Sequence, residues 1–213
     1  MADDKDATAR PVTIDTSLLG TWTLDKKWFT PLKPKIRLDP GTLVPSKQFL
    51  TVPEADARGL LRNTQRLVAD LPVEAPPRVV WHQSGSELYV DLSRTSLNCK
   101  VGLVTIGLTV SCDQLDRPTV IPVPIAVGTA DQPTGLVMSS FSALDGPGIV
   151  VSQWTDALTA FAWETLVELA RRLCADLGRD KAGHALVPGA IGSGSQVLLV
   201  QPMARFNLSR LAR

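Results

Sequence analysis

Residues 101–112 read Val-Gly-Leu-Val-Thr-Ile-Gly-Leu-Thr-Val-Ser-Cys. Val104, Ile106, Leu108, Val110 and Cys112 share one parity; Thr105, Gly107, Thr109 and Ser111 share the other. Successive side chains of a strand point to opposite faces, so this alternation sets one face on a core and the other in water. The stretch predicts a half-buried strand of an antiparallel sheet at the centre of the fold. Gly102 and Gly107 mark bends or bulges in it.

The period of two continues on both sides. Val79–Trp81 and Leu88–Leu92 flank Ser84-Gly85-Ser86, which reads as a hairpin turn. In Thr119–Val127 the residues Ile121, Val123, Ile125 and Val127 face one way, Pro122 and Pro124 the other. Two prolines lack two ladder donors, which predicts an edge strand. Leu136–Leu144 reads as the next strand, set between Pro133-Thr134-Gly135 and Asp145-Gly146-Pro147-Gly148. Short strands are expected near Leu18–Leu24, Lys47–Leu50 and Gln196–Gln201.

Two segments change to a helical period. Thr51-Val52-Pro53-Glu54 has the capping-box spacing, and Ala57, Leu60, Leu61, Thr64, Leu67 and Val68 then form a stripe that Pro72 ends. The second helix is read from Gln153 to Leu177, with Ser152 as cap and Gly178 as stop. Glu168 and Arg172 stand at a favourable i, i+4 spacing. Its first half is apolar nearly all round, which demands cover on several sides or from a partner. The expected fold is α+β. A single antiparallel or mixed sheet of about five to seven strands carries two helices. Residues 1–12 read as a tail and 13–213 as one domain.

A net charge of +1 gives no global attraction to nucleic acid or an anionic membrane. Cys99, Cys112 and Cys174 are an odd, widely spaced set with no CxxC pair. They predict buried thiols in a reducing compartment, not a disulfide framework or a zinc site. With no apolar run behind the charged N-terminal residues, the expectation is a cytoplasmic protein without a signal peptide, cofactor or metal. The uncharged stretch Ala182–Ala204 is broken by Pro188 and Pro202 and by glycines, so no membrane span is expected.

Few residues offer chemistry. His82 and His184 are the only histidines, and neither shows a readable partner. The run Gly189–Ser195 is glycine-rich but lacks a phosphate-loop lysine and precedes a strand, so it reads as a mobile connector or lid. Ser193 and Ser195 lack a nucleophile-elbow pattern. Lys26, Lys27, Lys33, Lys35 and Arg37 interleave with Trp28 and Phe29, a pattern that suits phosphate and base contacts. Arg58, Arg62 and Arg66 add a basic ridge on the first helix. Together these eight cations are the candidate anion-binding set. Leu19-Gly20-Thr21-Trp22 resembles the Gly-x-Trp opening of lipocalin-like barrels. The match covers a few residues, and the prolines and long helices that follow do not suit such a barrel.

Trp154, Trp163 and Val167 lie on different sides of the second helix and form the candidate interface. The favoured reading is a non-catalytic binding or assembly protein whose partners are other protein chains, in a homo-oligomer or a larger assembly. A hydrolase-like enzyme with a site of dispersed residues is the alternative, and a nucleic-acid or anionic-surface binder ranks below it.

Overall fold

The computed structural model describes residues 12–15, 43–45, 49–72, 74–132, 136 and 143–205. Among these, nine strands and two helices form two sheets. The strands are β1 (Val12–Asp15), β2 (Leu43–Pro45), β3 (Leu50–Pro53), β4 (Arg78–Gln83), β5 (Ser86–Lys100), β6 (Leu103–Ser111), β7 (Thr119–Ala126), β8 (Ala185–Gly194) and β9 (Val197–Arg205). The helices are α1 (Glu54–Val68) and α2 (Gly148–Asp176). The α+β class stands, and the single sheet is corrected to two.

The larger sheet has the order β1-β4-β5-β6-β7. It is antiparallel except for β1, which runs parallel to β4, so Val12 belongs to a strand and not to a tail. Ser84 and Gly85, at φ 49° and 78°, form the tight turn between β4 and β5. Gly102, at φ 72°, turns β5 into β6, so Val101 is an exposed turn residue and not part of the strand. Val104, Ile106, Leu108 and Val110 are buried as their parity requires. β7 pairs only with β6 and closes the sheet as an edge. Pro122 and Pro124 share a parity, so their missing donors fall on the same side, away from the continuous β6 ladder.

In the smaller sheet, β9 is central. β8 pairs with one side of it, while β3 and β2 pair in tandem with the other. The Gly189–Ser195 run is therefore mostly strand, not a mobile connector, and its glycines serve close approach. A Cβ on Gly189 would overlap the Met203 side chain, and one on Gly192 would lie 2.9 Å from the Gly128 carbonyl oxygen. The two sheets meet at this corner. Gly128 exchanges backbone hydrogen bonds with Ile191 and Ser193, and Gly102 N–H donates to the Ser193 carbonyl.

Pairing with β9 also moves the start of α1. β3 holds Thr51 extended up to Pro53, and the helix opens at Glu54 without a side-chain cap. The Thr51 capping box does not form. Instead a Glu54 carboxylate oxygen accepts the Cys99 N–H at 2.8 Å. Ala57, Leu61, Thr64 and Val68 of the stripe are buried, whereas Leu67 is 55% exposed. α2 begins at Gly148, behind Pro147, so Ser152 lies inside it; Gly178, at φ 81°, follows its end. Glu168 pairs with Arg171, at 2.7 and 2.9 Å, and not with Arg172. Most of the Leu136–Leu144 strand expectation lies outside the described residues. Leu136, Ala143 and Leu144, which are described, are not in a strand.

One apolar cluster joins both sheets and both helices. α2 carries 29 residues, but Asp156, Glu164, Glu168, Arg171, Arg172 and Asp176 interrupt it. No helix among the described residues is long and apolar enough to cross a membrane.

Candidate functional site

The candidate interface on α2 is not at the surface. Trp154, Trp163 and Val167 are 2%, 2% and 3% exposed. Phe161 points to the larger sheet, where its ring meets Trp81. Trp163 lies about 200° further round the helix, on the far side. A single sheet would have left the cover of that side to a partner. In the folded chain α2 also packs on β8, β9 and α1. The all-round apolar helix is thus a central core element.

Of the basic set, three of the eight cations fall among the described residues. Lys26, Lys27, Lys33, Lys35 and Arg37, like the Leu19–Trp22 segment and the Leu18–Leu24 strand expectation, lie outside the described residues. On α1, Arg58 pairs with Glu54 at 2.7 Å. Arg66 turns back to the carbonyls of Pro72 and Ala75, closing the segment after the helix. Arg62 is exposed, as a ridge position requires.

Both histidines have carboxylate neighbours. His184 Nδ1 lies 2.9 Å from Asp180 Oδ2, and Asp180 Oδ1 accepts the N–H groups of Ala182 and His184. The His184 side-chain hydrogen bond holds the Asp180 carboxyl below its ordinary range. The Asp180-x-x-x-His184 spacing was the available signal. All these bonds close one five-residue loop between α2 and β8. On the other histidine, His82 Nδ1 is 3.2 Å from Glu87, which also accepts the Tyr89 hydroxyl at 2.7 Å. That bond raises the Tyr89 pKa. Among the described residues no cluster of three or more His, Cys, Asp or Glu side chains could hold a metal.

Cys99 and Cys174 are buried as expected, whereas Cys112 is only half-buried. Burial pushes the Cys99 thiol up to about 11 and the Cys174 thiol up to about 12, which keeps both as unreactive thiols at neutral pH. Ser193 is buried, and its hydroxyl donates to the Lys100 carbonyl across the corner between the sheets.

The most distinctive surface is the outer face of the larger sheet, on β5, β6 and β7. Its register is set by a bulge between Asp91 and Ser96. Four cross-strand rows follow: Asp91–Thr109–Val120, Ser96–Gly107–Pro122, Asn98–Thr105–Pro124 and Lys100–Leu103–Ala126. The two middle rows carry no charge. Gly107 leaves space that Ser96 and Val120 side chains fill, since a Cβ there would overlap Ser96 Oγ and lie 3.0 Å from Val120 Cγ1. At the bulge Arg94 is exposed and pairs with Asp91, and its carbonyl accepts the hydroxyl of the buried Thr109. Val120 is 53% exposed, and Ser96, Asn98, Lys100 and Ala126 are exposed as well. The solvated face of an antiparallel sheet is ordinarily polar along its whole length.

No family model, curated protein or solved structure matches the chain.

Proposed function

We infer that this is a binding or assembly protein that works through protein–protein contacts, with the outer face of the larger sheet as its contact surface. The supporting observation is the uncharged pair of rows Ser96–Gly107–Pro122 and Asn98–Thr105–Pro124 on an exposed sheet face. Interface centres are depleted of charge, whereas their rims are polar. The edge itself is a poor template for an added strand, because Pro122 and Pro124 withdraw two donors from it. Contact is therefore by the face.

A photo-crosslinking residue placed at Thr105 or Asn98 tests this in native cells. The expected result is a discrete product heavier than the chain, absent when the probe sits at Arg62 on α1. Probes at both face positions that yield no product would overturn the reading.

A further inference from the structure

We propose that Met203 is a site of reversible oxidation by a hydroperoxide, and that its sulfoxide releases the outer end of the smaller sheet. The proposal is independent of the contact face on the larger sheet.

Met203 stands on β9 between Val187 of β8 and Pro45 of β2. Leu198 and Val200 of the same strand belong to the core, so Met203, of the opposite parity, lies on the outer face of the sheet. It is half-buried there. Its side chain fills one specific gap. Gly189 is the extra residue of the bulge between Pro188 and Ala190, and a Cβ on it would overlap the Met203 Sδ and Cγ. The thioether thus occupies the place of a side chain that Gly189 does not have. Gly189 in turn has nothing with which to shield the sulfur.

The ladder around this contact is short of donors. Pro45, Pro188 and Pro202 all stand within one register step of Met203, and none carries an N–H. The bulge removes a further pairing. At the turn end, residues 191–194 pair with 197–200 without interruption. Packing of the thioether on Gly189 therefore carries a larger share of the cohesion at the outer end than side chains carry at the turn end.

The chemistry is that of an accessible thioether. A sulfur lone pair attacks the terminal oxygen of a hydroperoxide, the S–O bond forms as the O–O bond breaks, and the proton of the attacked oxygen passes to the leaving one. Sulfur is oxidised by two electrons, and the peroxide is reduced to water or an alcohol. The product is a polar group in place of an apolar one. The added oxygen enlarges a side chain that already lies against the Gly189 backbone, and overfilling such a contact forces the strands to shift. β2 and residues 185–189 and 202–205 then open together, while the turn end stays paired. A methionine sulfoxide reductase restores the thioether.

The test treats the full chain with hydrogen peroxide and reads peptide mass and amide hydrogen exchange. The expected result is one added oxygen at Met203, with exchange faster by about tenfold or more over residues 185–190 and 203–205 and unchanged over 197–200. Reduction by methionine sulfoxide reductase reverses both. Met203→Leu nearly conserves volume and removes the sulfur, so its exchange matches the untreated protein and does not respond to peroxide. A Met203 that stays unoxidised while N-acetylmethionine in the same tube is converted overturns the site. Oxidation of Met203 without faster exchange overturns the release, as does opening by peroxide that persists in Met203→Leu. If the leucine variant does not fold, the wild-type chain decides alone: opening that survives complete reduction of Met203 overturns the proposal.

Discussion

The Trp81 and Phe161 rings meet edge to face, with centroids 5.5 Å apart and planes at 74°. Both are fully buried. This contact attaches α2 to β4 of the larger sheet, while the far side of α2 lies on the smaller sheet. The helix therefore transmits any loss of packing to both sheets. Phe161→Ala removes a large side chain from a site closed on every side, and the expected cost is about 3–5 kcal/mol. Urea unfolding measures it. A cost below about 1 kcal/mol would mean that the two layers do not depend on the contact.

Glu54 has two partners of unequal weight. Its carboxylate accepts the Cys99 N–H at 2.8 Å and pairs with Arg58, whose side chain is 49% exposed. The exposed ion pair contributes little. The bond to a part-buried N–H contributes more, because removing it strands a donor. Glu54→Ala is expected to cost about 1–3 kcal/mol and to speed hydrogen exchange at Cys99. Arg58→Ala is expected to stay within about 0.5 kcal/mol of wild type. Equal effects from the two substitutions would contradict this ranking.

Two glycines respond in opposite directions to alanine. A Cβ on Gly192 sits 2.9 Å from the Gly128 carbonyl oxygen, which is backbone and cannot rotate away. Gly192→Ala forces the two sheets apart at their shared corner and costs about 1–3 kcal/mol. Gly59 lies inside α1, and a Cβ there meets nothing within 4 Å. Gly59→Ala is expected to stabilise the chain by about 0.5–1 kcal/mol by restricting the unfolded state. Thermal or urea unfolding of the two variants reads both signs.

The Asp180–His184 loop gives a pH dependence of known sign. His184 holds the folded-state carboxyl of Asp180 below its unfolded value. The stabilising contribution is present above the unfolded value, about pH 3.9, and is lost as pH falls through the lower folded value. The carboxyl is only part-buried and its partners lie within one loop, so the effect is local. Proton exchange at the His184 amide should rise in that acidic window beyond its intrinsic trend, and His184→Ala should move the Asp180 titration upward. An unchanged Asp180 titration in the variant would rule out the pairing as its cause.

What the amino-acid order determined by itself were features written over short spans. The parity of Val104 to Val110 made β6 half-buried, and sterics fix that alternation residue by residue. Pro122 and Pro124 made β7 an edge, because a missing N–H is a covalent fact. Ser84-Gly85 made a turn through local backbone freedom. The apolar girth of α2 required that it be covered. Tertiary structure alone decided what covers it. β3 and β9 pair Leu50 with Val200 and Pro53 with Val197, and no local pattern records a partner that far along the chain. That pairing converted the Thr51 capping box into a strand, and the pairing of β8 with the same β9 gave α2 a second sheet to pack on and made the glycines of β8 a surface for close approach. Glycine supports either a flexible loop or a tight contact, and only the neighbour shows which. The outer face of the larger sheet was half legible. Its parity stood in the sequence, but the bulge between Asp91 and Ser96 set which residues oppose which across β5, β6 and β7.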